Sequence, residues 1–153
     1  ITLQLFFVIL SGMLLPPKHA AFSQILYIFI GLLGIPIFEK GGGISYVLQP
    51  SFGFMIGFVI ASYIVSVLSS KYLNNNSSFY NTFLICLSGI LACYLLGVPY
   101  LYIILKHVNG TDITFLSAVK INVIFLPGDI LKAAVVALIS KKITHNVSRG
   151  RLN

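Results

Sequence analysis

The stretch FLPGDILKAAVVALISKK, residues 125–142, sets an acid, Asp129, and a base, Lys132, three positions apart in an apolar run that closes on Lys141 and Lys142. Counted back from Lys141 along a straight helix, the two lie about 13 and 18 Å from that end at roughly 1.5 Å per residue. The i, i+3 spacing puts both on one face, about 60° apart. A charge at such depth in a bilayer costs several kcal/mol unless it is paired or wetted, which makes the two residues a candidate binding position. Two readings are open. In one, the charges neutralise each other and Asp129 caps the helix start. In the other, Lys132 opposes the helix dipole in the first turn, so an anionic ligand would be drawn by the ammonium and by the free N–H groups together. A helix that begins in mid-membrane beside irregular backbone is also how transporters build substrate sites. The second reading calls for an outward-open cavity whose ligand carries an anion for Lys132 and N–H donors for Asp129.

The elements that must hold this pair follow from hydropathy. Of 153 residues, 58% are hydrophobic and 8% charged, against about a quarter charged in an ordinary soluble domain. Long apolar runs separated by short polar clusters indicate an all-α, polytopic membrane bundle. The expected spans are residues 1–15, 20–34, 52–70, 79–105 and 127–142, forming one transmembrane domain, with an amphipathic interfacial piece at 112–125. The first run would reach only about 22 Å, short of a hydrocarbon core of roughly 30 Å, and the chain does not begin with Met. An upstream segment holding part or all of an earlier helix is therefore expected. Between the second and third runs, residues 35–51 hold two prolines, three consecutive glycines and Glu39, a composition that forbids one regular helix and suits a lid over the cavity. Gly53 and Gly57 form a small-xxx-small pair, by design or by chance in a Gly-rich chain, and Pro99 should kink the fourth run.

Ten Lys and Arg against three acids give a formal charge of +7. These bases stand at span ends, without the clustering or interleaved aromatics of a nucleic-acid surface, and so act as topology signals. If the runs alternate, Lys18, Lys71, Lys141, Lys142, Arg149 and Arg151 share one side and Lys40 and Lys106 the other, which places the C-terminus in the cytoplasm and the 35–51 loop outside. Cys86 and Cys93 lie inside an apolar run with no CxxC or Cys/His cluster, as small buried residues would, and no metal or cofactor is implied. His19, His107 and His145 all stand near span ends, and no HExxH, GxSxG or carboxylate dyad is present, so an enzyme is not expected. The triplets at Asn75, Asn76, Asn109 and Asn146 match the glycosylation pattern but carry weight only in a secretory context.

Three separated motifs, in order, resemble a known family: ITLQLFFVILSGMLLPPKHAAFSQILYIFIGLLGIPIF followed by GGG, then LQPSFGFMIGF, then FLPGDILKA. The resemblance, from the first residue almost to Lys142, is to the biotin-specific substrate-capture subunits (S components, BioY) of energy-coupling factor transporters. It implies a six-helix membrane bundle with an outward biotin site, the first helix missing from this chain, in a bacterial cell membrane. It also implies a membrane coupling subunit and two cytoplasmic ATPases as partners, since no GxxxxGK[ST] occurs here. Biotin would then offer its valerate carboxylate to Lys132, ureido N–H groups to Asp129 and its carbonyl to Gln49 or Asn122. Tyr46, Phe52 and Phe54 would wall the apolar ring and tail, or serve as ordinary packing. The family's middle motif runs approximately G-P-T-G-G-Y-L, where this chain reads Gln49-Pro50-Ser51-Phe52-Gly53-Phe54-Met55: Ser51 keeps a hydroxyl, while Phe52 and Phe54 replace a glycine and a phenol. Capture of another vitamin, or a structural membrane subunit with no ligand, are the alternatives.

Overall fold

Proline and hydroxyl residues set where three of the helices start. The computed structural model describes residues 3–73 and 78–150, with side chains as far as Ser140. Six α-helices run in chain order among the described residues: α1 Gln4–Leu14, α2 Pro17–Leu32, α3 Phe52–Tyr72, α4 Phe79–Ile103, α5 Phe115–Val123 and α6 Leu126–Gly150. Pro17 takes the first position of α2, where its missing N–H costs nothing and its fixed φ suits the helix. Ser78 Oγ accepts from Tyr80 N at the start of α4 and Thr114 Oγ1 from Ser117 N at the start of α5, each satisfying a donor the helix cannot. No strand occurs among the described residues; the one β feature is a bridge between Phe38 and Gly41.

The fold is built on α3 and α4, which share the most extensive contact of any helix pair. Glycine makes their approach possible. A methyl at Gly57 would stand 2.9 Å from the Cys93 carbonyl oxygen, and one at Gly89 would stand 2.5 Å from Val65 Cγ2. Small residues at such crossings let backbones meet and substitute dispersion for the hydrophobic force that lipid cannot provide. Gly53 and Gly57 therefore do face α4. Helix α1 packs on α3 and α6, α2 lies along α3, and α6 closes against α4 and α1. Ile9, Val65, Val136, Cys86 and Cys93 are fully buried where these helices meet, while Phe7, Phe22, Phe29, Leu95, Leu131 and Leu138 stand exposed outside. An apolar exterior around an apolar core is the pattern of a bundle in lipid.

Helices α3 and the continuous run 79–108 are long and apolar enough to cross a membrane, whereas α1 is a shorter apolar helix. Pro99 lies inside α4, and the helical run departs from α geometry only beyond it, in a π turn at Ile104–Val108. The piece expected at the interface is α5. It is joined to α6 across a short break with a 48° bend, and the two together have the length and apolar composition of a broken span or a re-entrant loop. Asn75 and Asn76 lie outside the described residues. The side chains of Lys141, Lys142, His145, Asn146, Arg149 and Arg151, on which the predicted orientation largely rests, lie outside the described side chains.

The loop between α2 and α3 is a docked cap. Gly43, at φ 105°, takes a left-handed conformation open to glycine, and its N–H donates to the Gly31 carbonyl at 2.7 Å. Phe38 is buried against Tyr27 and Tyr46, with ring centroids at 5.4 and 4.5 Å. A 3-10 turn, Ile44–Leu48, follows, and the Tyr100 hydroxyl on α4 donates to its Val47 carbonyl.

Candidate functional site

The break between α5 and α6 brings a polar group into the interior. Asp129 lies in the first turn of α6, and its N–H already donates to the Phe125 carbonyl at 3.1 Å. Asp129 is thus inside the helix, not its cap, which leaves the carboxylate free for other partners. Lys132 Nζ donates to Oδ1 at 2.7 Å and the Tyr94 hydroxyl donates to Oδ2 at 2.6 Å. Both charged side chains are largely buried, at 9% and 11% exposure. Burial of this kind requires pairing, since an isolated ion would be neutralised or expelled.

Above the pair is a cavity of about 240 Å³. Helix α1 contributes Gln4 and Leu5, and the loop contributes Glu39 and Tyr46. Ser51, just before α3, and Phe54, Met55 and Phe58 on α3 add to it, and α4 adds Cys93 and Tyr94. Asn122, Phe125, Asp129 and Lys132 complete the wall from α5, α6 and the break between them. The polar groups are held in place from outside: Gln4 Nε2 donates to the Tyr27 hydroxyl at 2.9 Å, which donates in turn to the Ile37 carbonyl at 3.2 Å. Asn122 Nδ2 donates to the Ala118 carbonyl at 2.8 Å, and the Tyr46 and Ser51 hydroxyls are 3.4 Å apart. The volume is a little below the roughly 300–1,000 Å³ of pockets for drug-sized ligands, so the space suits a small molecule.

Six of the eight residues singled out from the sequence meet in this cavity: Asp129, Lys132, Tyr46, Ser51, Phe54 and Asn122. Two do not line it. Gln49 closes the 3-10 turn, where its N–H donates to Tyr46 and its carbonyl accepts from Phe52. Phe52 is buried in the helix core beside Tyr100, with centroids 6.1 Å apart. The reason is the start of α3 at Phe52, whose helical turn directs Ser51 and Phe54 to one side and Phe52 to another. Tyr94, Glu39, Gln4, Cys93, Met55 and Phe58 also line the cavity, beyond the residues expected from the sequence. Tyr94 had one available signal, a phenol inside an apolar run, which when buried needs a hydrogen-bond partner. The choice of Asp129, 35 residues away, is a matter of packing.

Comparison with known proteins bears on this arrangement. The model of the BioY family matches residues 1–149 of this chain. The chain belongs to the BioY family. A probable biotin transporter BioY of Bacillus subtilis is 34% identical over 149 residues, covering 97% of this chain and 76% of that protein. One of Pyrococcus horikoshii is 35% identical, covering 95% and 81%. One of Lysinibacillus sphaericus is 42% identical over 106 residues, where the match takes in 69% of this chain and about half, 53%, of that protein. The fold is similar to a crystal structure of the S-component for biotin from an ECF-type ABC transporter, with a TM-score of 0.82 at 25% identity over 94% of this chain and 75% of that one. The BioY-family fold of the chain is therefore an all-α bundle of the S-component type.

Proposed function

We propose that this chain is a membrane-embedded substrate-capture subunit that binds biotin in the cavity above Asp129 and Lys132. The observation that carries the reading is the buried pair at 2.7 Å, opening on a cavity of about 240 Å³. Relatives named as biotin transporters support it, as does the S-component for biotin with the same fold. These are names of transporters, not of enzymes.

We place the ureido end of biotin on the pair, in preference to its carboxylate. Lys132 is already neutralised by Asp129, and Glu39 brings a second negative charge to the cavity, so a carboxylate placed on Lys132 would face two like charges. The ammonium keeps two N–H donors and the carboxylate keeps free lone pairs. Side by side they form a donor and an acceptor. A cyclic urea presents the complement on one edge, a carbonyl next to an N–H. The ureido ring accordingly sits on the pair, with Asn122 beside it and Phe54, Met55 and Phe58 against the apolar ring and tail. The valerate carboxylate reaches toward Ser51, where the first turn of α3 favours an anion.

Import driven by ATP requires partners. We assign to them a membrane coupling subunit and two cytoplasmic ATPases, with biotin taken from the outer side and the C-terminus of the chain in the cytoplasm. The test is direct: purify the protein in mild detergent and measure binding of biotin and of other vitamins. Tight binding of biotin with a raised melting temperature is expected, because a ligand that binds only the folded state stabilises it. Tight binding of riboflavin or another vitamin without biotin would reassign the substrate, and binding of none would remove the capture role.

A further inference from the structure

The Asp129 carboxylate meets two donors before any ligand arrives, Lys132 on Oδ1 and the Tyr94 hydroxyl on Oδ2. A carboxylate has about four acceptor positions over its two oxygens, and here each oxygen already holds one donor. Tyr94 is itself held firmly. Its ring stands edge-on to Phe54 with centroids 5.9 Å apart. It walls the polar cavity, and it also borders an apolar groove lined by Leu91, Leu95, Phe115 and Val123. The phenol in that position takes one acceptor position of Asp129 on the cavity wall.

We propose that Tyr94 is a specificity-determining residue: it restricts the site to uncharged ligands that present a carbonyl beside one N–H, the edge of a cyclic urea or lactam, and excludes planar cations. The inference rests on the capture reading above. A guanidinium binds a carboxylate most strongly through two parallel N–H···O bonds, one to each oxygen. Tyr94 and Lys132 each take one of the two acceptor positions on their oxygen, so such a paired approach competes with both donors at once, and the Lys132 ammonium repels the cation. A urea edge asks less, one acceptor position on Asp129 and one N–H of Lys132. Glu39, reaching the cavity from the loop, would by itself draw a cation in, so the exclusion has to come from Lys132 and Tyr94.

The probes are biotin and its 2-imino analogue, in which a cationic guanidinium replaces the urea and the rest of the molecule is unchanged. Affinities for both are measured on the wild type, on Tyr94→Phe, and on each in an Asp129→Asn background. The wild type should prefer biotin by roughly 100-fold, given the cost of like charges at close range. Tyr94→Phe keeps the ring on Phe54 and should lower biotin affinity by no more than about tenfold, while narrowing the preference by about fivefold or more. In the Asp129→Asn background the same change should leave the preference where it was. A general loss of affinity in Tyr94→Phe with the preference unchanged would reduce the residue to packing and overturn the proposal. So would a wild type that takes both ligands equally, a result that needs no variant to fold. A wild type that binds neither would remove the capture reading and this inference with it.

Discussion

The α3–α4 contact and the α5–α6 break handle the same apolar surroundings in opposite ways. At the first, Gly57 and Gly89 bring two continuous helices so close that a single methyl would collide with backbone or with Val65, and the interface is sealed. At the second, the chain turns by 48° between two helical pieces, and Asp129, Lys132, Tyr94 and Asn122 line a hollow. With the cavity as the proposed binding site, stability and recognition are separated in space. Close packing of small residues holds the bundle together, and an interrupted helix supplies the polar groups that such packing would exclude.

That separation can be broken most severely by replacing both charges. Asp129→Leu with Lys132→Met should abolish measurable biotin binding while leaving the melting temperature unchanged or higher, since a buried ion pair exchanged for apolar groups of similar size is often neutral or stabilising. A double variant that still binds biotin would show that recognition lies elsewhere. Lys132→Ala alone strands the carboxylate, and a loss of about 3–5 kcal/mol in stability is expected, together with weaker binding than in Asp129→Asn; thermal melts and titrations on the same preparations decide this. On the sealed side, Gly89→Leu should cost about 1–3 kcal/mol of stability through overpacking against Val65, with the affinity of the surviving folded protein unchanged. A drop in affinity instead would mean that the two regions are coupled.

Smaller effects sharpen the picture within the cavity. Biotin esterified at its carboxylate should bind less well to the wild type, and the penalty should persist in Lys132→Ala if the carboxylate points to Ser51; a penalty that vanishes there would put the carboxylate back on Lys132. Gln49→Ala, at a position that does not line the cavity, should change affinity by less than about twofold, against about tenfold to a hundredfold for Ser51→Ala, a single hydrogen bond to a charged group.

Much of this architecture is legible in one dimension because lipid imposes simple rules. Apolar runs and the proline breaks at Pro16-Pro17 and Pro127 announce helices, since backbone polar groups in a bilayer must be satisfied within the segment. Asp129 and Lys132 announce a site, because charge in an apolar run demands a reason, and their i, i+3 spacing guarantees that they can pair. Other features resist such reading. Phe52 and Phe54 are equally plausible pocket walls in sequence, yet the start of α3 buries one in the core and turns the other to the cavity. Gly53 and Gly57 have a suggestive spacing, but which helix they receive depends on the whole bundle.

By itself, then, the sequence determined a helical membrane bundle and the place along the chain where its charges sit, because hydropathy and helical periodicity are local properties. Only tertiary structure decided that Tyr94 donates to Asp129, that Glu39 and Gln4 join the same cavity, and that Gln49 stays out of it. Those outcomes depend on distances between residues far apart in the chain, fixed by how closely glycine lets α3 meet α4 and by the angle at which α6 leaves α5.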